Sequence, residues 1–289
     1  YEASLRFIIA MAFHNLYKDV DIRFSYNVSR AIFCQVLTPG FHLPRATDAI
    51  INEVKRIIKA NLPIERVTVT IDEAKEIYKQ YNHQDKLDIL KYRPENTVHL
   101  YKCGDYYDYM HSYMVASTGC IKQYVIRPYS PGIIIQYPRY ELIAKIPEFV
   151  EESTYGRTLK QAYNWSKKTK LQTVIEINAK VETNNVLDFV QMCEAKHNRM
   201  LVELGNNIEQ DIENIRLIAI AGPSSSGKTT FCNRVRIELL SRGINPVMIS
   251  MDDYYLEKEK ISEIQNKPID QLDLEHINCL DVDLFNKDL

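Results

Sequence analysis

The feature that most constrains this chain is the stretch GPSSSGKT at residues 222–229, which follows the apolar run IRLIAI. It fits the pattern GxxxxGK[ST], in which glycines let the backbone turn so that successive N–H groups point at phosphate oxygens. A helix from Lys228 to Ser241 and the strand-like VMIS (247–250) come next. A buried-type strand before the loop and an amphipathic helix after it favour a phosphate loop over an ordinary Ser/Gly turn. Together these segments predict the opening βαβ unit of a parallel sheet.

We therefore expect the loop to bind ATP or GTP. Lys228 would meet the β and γ phosphates and act in catalysis, and the Thr229 hydroxyl would ligate Mg²⁺. ATP with Mg²⁺ is the expected cofactor pair. The candidate nucleotide-binding residues are Gly222, Pro223, Ser224, Ser225, Ser226, Gly227, Lys228, Thr229 and Thr230.

The next signal is ISMDDYY at residues 249–255. One helix, one turn and one strand after Lys228 place Asp252 and Asp253 at the carboxyl end of the second strand, which is the ligand edge of a parallel sheet. A carboxylate there can face the γ phosphate and accept a proton from an attacking hydroxyl. The alternative is that the two aspartates only cap a turn, because acidic turn residues are common.

The amino-acid composition narrows the classes of protein to which the chain can belong. The chain has 289 residues, 45% of them hydrophobic, with 36 basic against 38 acidic side chains, so it can bury large cores and presents no net field for nucleic acid or an anionic membrane. Its longest apolar runs are far shorter than the roughly 20 residues that span a bilayer. The six cysteines form no CxxC pair, so a reducing cytoplasm is the expected location. The chain begins at Tyr1 inside a helix-like stretch, and we expect it to be a fragment.

Residues 1–140 predict an α+β unit with a mostly antiparallel sheet and helices. Apolar residues at helical spacing mark a helix near the start and a second one after Pro44, and a short helix is expected near Asp72. Strand-like segments follow in the order IRFSY, AIFCQVL, ERVTV, TVHLYKC, YYDYMHSYMV, IKQYVIR and IIIQY. Residues 141–212 predict a helical connector, and residues 213–289 the first part of an α/β phosphate-loop kinase domain.

GPSSSGKTT, SMDDYY and LDLEHINCLDVDLF together resemble the uridine kinase and phosphoribulokinase group of P-loop kinases. The resemblance covers residues 215–289 and implies phosphoryl transfer from ATP to a nucleoside 5′-hydroxyl. It makes Asp252 the catalytic base, gives Tyr255 a place in the sugar or base pocket, and sets Glu275 and His276 where the family binds ribose hydroxyls. This chain has Glu275 where the family usually has Asp and Ile277 where Pro is common. It stops before the family's Walker B strand and Arg-rich lid, so we expect no activity from it alone.

The order of elements in residues 1–140 resembles the second additional domain of threonyl- and alanyl-tRNA synthetases, and its position ahead of a uridine-kinase-like part resembles a bacterial-type fusion kinase. In the synthetases this domain edits mischarged tRNA through HxxxH and CxxxH. Alignment on LYK (16–18) and YYD (106–108) places these ligands on Ala3, Phe7, Met110 and Met114. All four ligands are replaced, so no zinc is expected.

No two of the seven histidines stand three or four residues apart, which argues against a metal site built by spacing. His111, inside YYDYMHSYM, is interpreted as a hydrogen-bonded sheet histidine, with a site residue as the alternative. The nearby tyrosines fill a sheet face or, alternatively, form a stacking platform for bases. They are Tyr106, Tyr107, Tyr109 and Tyr113.

Two functional hypotheses follow from different classes. The first is a nucleoside kinase of the uridine or cytidine type, whose partner is its nucleoside substrate and whose N-terminal unit regulates or presents that substrate. The second is a nucleotide-dependent switch whose synthetase-like unit binds tRNA, an amino acid or another small molecule. Nucleic-acid binding is expected only through the N-terminal unit, and no membrane partner is expected.

Overall fold

The computed structural model describes residues 1–81, 83–130, 132–183 and 186–289. The chain divides into two compact units, Tyr1–Thr183 and Asn184–Leu289. This division falls within the segment 141–212 that the sequence indicates as a helical connector. Every strand pairing in the first unit is antiparallel among the described residues, which confirms the predicted α+β class.

The helices of the first unit alternate with short strands. The helices are α1 (Glu2–Leu16), α2 (Leu43–Ala60), α3 (Ile71–Gln80), α4 (Gln84–Ile89), α5 (Ser153–Thr169) and α6 (Val174–Glu182). The strands are β1 (Ile22–Val28), β2 (Ala31–Val36), β3 (Glu65–Thr70), β4 (Thr97–Cys103), β5 (Tyr106–Asp108), β6 (Val125–Tyr129) and β7 (Gly132–Gln136). The predicted helix after Pro44 and the predicted hairpin of IRFSY and AIFCQVL are both present.

One sheet has the strand order β1-β2-β7-β6. Its two central strands are buried along nearly their whole length, as expected for strands covered on both faces. Ile32 and Ile133 share a cluster with the inner faces of α1 and α2. Phe33 and Ile134 point to the opposite face and pack in a second cluster. Full burial of each such side chain contributes about 1.5–3 kcal/mol relative to exposure.

Local chemistry sets the ends of α2. The His42 side chain caps the helix start by accepting a hydrogen bond from the Arg45 N–H, and Pro44 lies in the first turn, where a missing N–H costs nothing. Asn61 ends the helix with φ +49°, a left-handed conformation that asparagine tolerates better than most residues.

A second sheet has the order β3-β4-β5. Val67 and Val69 face α3, whose first turn is closed by a capping box between Thr70 and Glu73. β5 ends at Asp108, so the predicted strand YYDYMHSYMV is wrong beyond its first three residues. Only those three residues pair with β4.

The second unit is built around two helices, α7 (Val186–Gln210) and α8 (Lys228–Leu240). Leu201 and Ile208 of α7 pack against Val235 and Leu239 of α8. The shorter α9 (Lys258–Gln265) and α10 (Val282–Asp288) follow. The described part of residues 141–210 is mostly helical, as predicted.

Among the described residues, the predicted parallel sheet around the phosphate loop is not formed. Residues 215–221 and 244–250 are not strands and pair with no other described segment. Leu217 and Val247 leave 66% and 87% of their surface exposed. A strand depends on hydrogen bonds to neighbouring strands, so an apolar run without such partners does not form a strand and its side chains stay exposed. Among the described residues, no helix combines the length and the hydropathy needed to cross a bilayer.

Candidate phosphate-binding site

The phosphate loop is shaped by backbone conformations that only some residues adopt. Gly227 has φ +83° and precedes the first turn of α8, and Ser225 has φ +58°. A Cβ at residue 222 would lie 2.8 Å from the Ser226 Oγ, so a larger residue there would require the serine side chain to move. The Ser226 N–H donates to the Pro223 carbonyl at 3.3 Å. The loop is therefore a closed turn with its backbone folded on itself.

The start of α8 gives the loop its anion-binding character. The Phe231 N–H makes the first intrahelical hydrogen bond, to the Gly227 carbonyl at 2.9 Å. The N–H groups of Lys228, Thr229 and Thr230 therefore lie in the first turn, where helical geometry provides no acceptor. The Lys228 Nζ donates to the Pro223 carbonyl at 3.0 Å, which holds its ammonium group against the loop. Free N–H groups, the positive helix end and one ammonium group form an arrangement that binds phosphate.

The residues of the phosphate loop and of the first turn of α8 have the chemical groups needed to bind the expected Mg·ATP. The loop backbone and Lys228 would hold the phosphates, and the Thr229 hydroxyl would ligate Mg²⁺. Bound ATP supplies the transferable γ phosphoryl group, and Mg²⁺ neutralises charge on its oxygens.

The acidic pair does not lie at the end of a strand, contrary to the sequence-based expectation. Asp252 and Asp253 lie in a 3₁₀ turn, Met251–Tyr254, where the Ser250 hydroxyl accepts from the Asp252 N–H at 3.3 Å. Both residues are exposed. Side chains in a 3₁₀ turn are about 120° apart, so the alternation of a strand cannot decide which aspartate faces the phosphates. Among the described residues, no hydrogen bond or ion pair joins either aspartate to Lys228.

The acidic turn is anchored by α10, which the sequence analysis did not identify as part of the site. The Tyr254 hydroxyl donates to Asp288 Oδ2 at 3.0 Å, and the Tyr254 ring meets Phe285 edge-on with centroids 5.1 Å apart. Burial and this hydrogen bond raise the pKa of Tyr254. Aromatic spacing of this kind gives no sequence signal until the two segments are known to meet.

The residues expected to bind the acceptor lie on two segments that the structure brings together. The Leu256 N–H donates to the Cys279 carbonyl and the Asp281 N–H to the Tyr254 carbonyl, each at 2.8 Å. The Tyr255 hydroxyl donates to the Leu274 carbonyl at 3.2 Å, directly before Glu275 and His276.

Glu275 and His276 differ in which of their side-chain atoms can still form a hydrogen bond to a ligand. Glu275 is exposed, and its own N–H donates to the Asp273 carboxylate. The His276 Nδ1 accepts from the Asn278 N–H at 3.2 Å and caps a short turn. Only the other ring nitrogen of His276 is left to meet a sugar hydroxyl.

Polar contacts between α7 and α8 fix the helix that carries the loop, and sequence reasoning missed them. Arg234 donates to the His197 Nδ1 at 2.8 Å and to the Asn198 side chain at 2.5 Å. The His197 ring stacks on Phe231, with centroids 6.3 Å apart. Charged residues on helices usually face solvent, so spacing alone did not single out Arg234.

In the first unit, the positions aligned with the synthetase zinc ligands do not fit zinc. Phe7 is completely buried in the main cluster, and Met110 and Met114 pack against the same cluster. The Val115 N–H donates to the buried Ser4 Oγ at 2.9 Å, which joins this loop to α1. Ala3, one turn before Phe7, offers no ligand atom. Zinc sites need nitrogen, thiolate or carboxylate donors, and these four side chains provide none.

His111 and the tyrosines are not arranged as expected. His111 lies in the loop after β5 and not in a sheet, and its ring meets Tyr109 edge-on at 5.0 Å. Tyr106 is buried in the core, whereas Tyr113 leaves 85% of its surface exposed beside Arg66. The predicted sheet-face role therefore holds for Tyr106 and Tyr107 on β5. Tyr109 lies beyond the strand but packs against the cluster that contains Val98 and Leu100 of β4. The role is wrong for Tyr113.

The chain is similar to part of known aminoacyl-tRNA synthetases. The threonine–tRNA ligase of Bacillus velezensis is 33% identical over 122 residues, which are 42% of this chain and 19% of the ligase. Threonine–tRNA ligase 1 of Bacillus subtilis is 32% identical over the same shares. The threonine–tRNA ligase of Thermotoga neapolitana is 40% identical over 82 residues, 28% of this chain and 12% of the ligase.

The chain spans about a fifth of the length of the first two of these relatives. The similarity lies in about the N-terminal 40% of the chain and supports the predicted synthetase-like N-terminal unit. No protein-family model matches the chain. The kinase resemblance of residues 215–289 rests on their motifs.

Proposed function

We propose that the protein transfers the γ phosphoryl group of ATP to a nucleoside 5′-hydroxyl, as a kinase of the uridine or cytidine type. The observation that carries the proposal is the closed loop 222–227 at the start of α8, with Gly227 at φ +83° and the Lys228 ammonium held against the loop. This geometry supports phosphate binding, and the resemblance of SMDDYY and LDLEHINCLDVDLF supports a nucleoside as the acceptor.

In this proposal each residue has a distinct task. Lys228 holds the phosphates, and Thr229 ligates Mg²⁺. Asp252 accepts the proton of the attacking hydroxyl, while Tyr255, Glu275 and His276 position the nucleoside. The contact of Tyr255 with Leu274 supports a common acceptor site, because it brings these segments side by side.

The N-terminal unit has a regulatory or substrate-binding role in this proposal. Its similarity to threonine–tRNA ligases makes tRNA a second partner to test, and any such contact belongs to this unit. The near balance of 36 basic and 38 acidic residues argues against tRNA editing and leaves a small-molecule role open. We place the protein in the cytoplasm.

The second candidate is a nucleotide-dependent switch, favoured by the similarity of the first unit to ligases that act with tRNA. The switch would use the same phosphate loop as the kinase, but it would have no nucleoside that accepts the phosphoryl group. The two functions therefore differ in whether a nucleoside changes turnover.

Release of ADP from Mg·ATP by the full-length protein, measured over a panel of nucleosides with the Lys228→Ala variant as the background, separates the candidates. The kinase predicts that one nucleoside or a few raise ADP release together with a stoichiometric nucleoside monophosphate. Basal hydrolysis that no nucleoside changes would contradict the kinase and favour the switch.

A further inference from the structure

The first unit contains a cavity of about 320 Å³, and none of the positions aligned with the synthetase zinc ligands lines it. Its floor is formed by Tyr78, Leu90 and Val98, each at most 5% exposed. Its rim carries His111 and Val174, which are exposed. A concave, mostly apolar site with a few polar groups is the usual form of a small-molecule pocket.

The charges on the lining are nearly all balanced within the protein. The Lys86 ammonium pairs with the buried Asp108 carboxylate, and the Arg93 Nε pairs with Glu95 at 3.2 Å. Asp85 is exposed at the rim, where water screens its charge. A charged ligand would lose its hydration without gaining an unpaired counter-charge, which is costly. The balance therefore favours a neutral ligand.

Arg93 still has hydrogen-bonding capacity toward the cavity. Its guanidinium lies 6.0 Å from the centre of the Tyr109 ring, and only its Nε donates to an acceptor among the described residues. The N–H groups of its two terminal nitrogens can donate to a carbonyl oxygen. Tyr78 and Tyr109 give the lining its aromatic character, which suits a planar ligand.

The α6 helix closes one side of the cavity through Thr173, Val174 and Ile175. These residues belong to the segment that the sequence indicates only as a connector. A capping box between Thr173 and Glu176 fixes the start of α6. A ligand in the cavity would therefore contact the connector as well as the synthetase-like sheet.

We propose that this cavity binds a small, neutral, planar heteroaromatic molecule with a carbonyl or amide group, recognised by Arg93 and the apolar floor, with α6 as one wall. This second site does not depend on the proposed kinase activity.

Calorimetric titration of the protein with indole-3-acetamide and with indole-3-acetate tests the proposal. The two probes share the ring system and differ in charge. We expect the amide to bind about tenfold more tightly than the anion, and Arg93→Gln to weaken the amide by about tenfold through loss of a charge-assisted hydrogen bond. Arg66→Gln, an exposed arginine of the same unit beside Tyr113, is the matched control and should leave binding unchanged.

A second variant places the ligand in the cavity independently of Arg93. Val174→Trp narrows the rim at a residue that is 60% exposed, so the fold should tolerate it. Val181→Trp puts the same ring on the same helix away from the cavity, at a residue that is 50% exposed. Binding should be lost in the first variant and retained in the second, and the amide should slow hydrogen exchange in α6.

Several outcomes would overturn the proposal. Equal or tighter binding of indole-3-acetate would show that the site takes an anion. Unchanged binding in both Arg93→Gln and Val174→Trp would place the ligand elsewhere. No binding of either probe at millimolar concentration would remove the cavity as a ligand site.

Discussion

At the scale of single residues, the phosphate loop depends on Gly227 for its conformation and on Lys228 and Thr229 for its chemistry. We expect Lys228→Ala to weaken Mg·ATP binding because it removes the ammonium group that meets the β and γ phosphates. Thr229→Ala should also weaken it, through loss of an Mg²⁺ ligand. Calorimetric titration with Mg·ATP measures both effects. Thr169→Ala, a change outside the loop, is the control, and unchanged affinity in Lys228→Ala would contradict the phosphate-loop assignment.

The roles of Asp252 and Asp253 are separable by a pair of matched substitutions. We expect Asp252→Asn to lower turnover by a factor of about 10² to 10⁴ because the amide keeps the shape of the side chain but cannot accept the proton. Asp253→Asn should have much less effect. The measurement is turnover of the full-length protein at saturating ATP and nucleoside, with ATP affinity as the internal check.

The structure shows why this prediction still rests on the family resemblance. Both aspartates lie in an exposed 3₁₀ turn, so geometry does not select one of them. A larger loss in Asp253→Asn would reverse the roles. Full activity in both variants would exclude the pair from the mechanism.

At the scale of elements, β2 and β7 approach too closely for any side chain at residue 132. A Cβ added to Gly132 would lie 2.0 Å from the Cys34 carbonyl oxygen, which is backbone and cannot move aside. We expect Gly132→Ala to lower the free energy of unfolding by about 2 kcal/mol or more, as overpacking does. Urea unfolding measures the change.

The control for this substitution is Gly156→Ala in α5, where the nearest atom to the new Cβ, the Tyr129 hydroxyl, is 3.5 Å away. It should stabilise the helix by about 0.5–1 kcal/mol, since alanine has the better helix propensity. Equal effects of the two substitutions would contradict the close approach of β2 and β7.

The contact between α1 and α2 includes the Glu53 carboxylate, and we expect its negative charge to stabilise the folded protein. Glu53 is 9% exposed and accepts hydrogen bonds from Arg56 and Asn15, at 2.7 and 2.8 Å. The hydrogen bond from Arg56 lowers the pKa of Glu53 below 4.5 despite its burial, and the bond from Asn15 acts in the same direction. We expect Glu53→Gln to cost about 1–2 kcal/mol of stability at pH 7.

The pH dependence of this cost has a definite sign. A folded-state pKa below the unfolded value gives stability that is complete above pH 4.5 and is lost as pH falls through the folded pKa. Urea unfolding at pH 7 and pH 3 should therefore show a difference between wild type and Glu53→Gln that shrinks in acid. Glu76→Gln removes the exposed pair with Lys79 and should cost little at either pH. A difference that grows in acid would contradict the lowered pKa.

Much of the first unit was predictable because its signals are local. The apolar spacing and Pro44 are enough to predict α2, and the short turn between IRFSY and AIFCQVL is enough to predict the first hairpin. The length of β5 was not predictable. Aromatic residues such as Tyr109 favour strands in general, but they join a sheet only where a neighbouring strand continues beside them.

The candidate site was predictable to different degrees for the same reason. The loop motif predicts the turn, the left-handed Gly227 and the helix after it, all within about ten residues. The strands flanking the loop depend on partners elsewhere, and the structure leaves residues 215–221 unpaired. The anchoring of Tyr254 by α10 and the cavity beside α6 arise from tertiary contacts that no spacing encodes.

At the scale of the whole molecule, similarity to threonine–tRNA ligases raises the question of whether the first unit deacylates mischarged tRNA. We expect that it does not and that it carries no catalytic zinc. A hydrolytic zinc site needs about three protein ligands and an open position. The aligned positions hold Ala3, Phe7, Met110 and Met114, and the last three pack in or against the hydrophobic core.

Elemental analysis of the purified protein and a deacylation assay with mischarged tRNA test this prediction together. Metal content should be far below one zinc per chain, and the rate of deacylation should equal the rate without protein. A threonine–tRNA ligase assayed in parallel is the positive control for the substrate. Zinc alone, without deacylation, would indicate a metal site that the alignment does not identify. Stoichiometric zinc together with deacylation would show that the four ligands lie at other positions, and the synthetase-like unit would then be an editing domain.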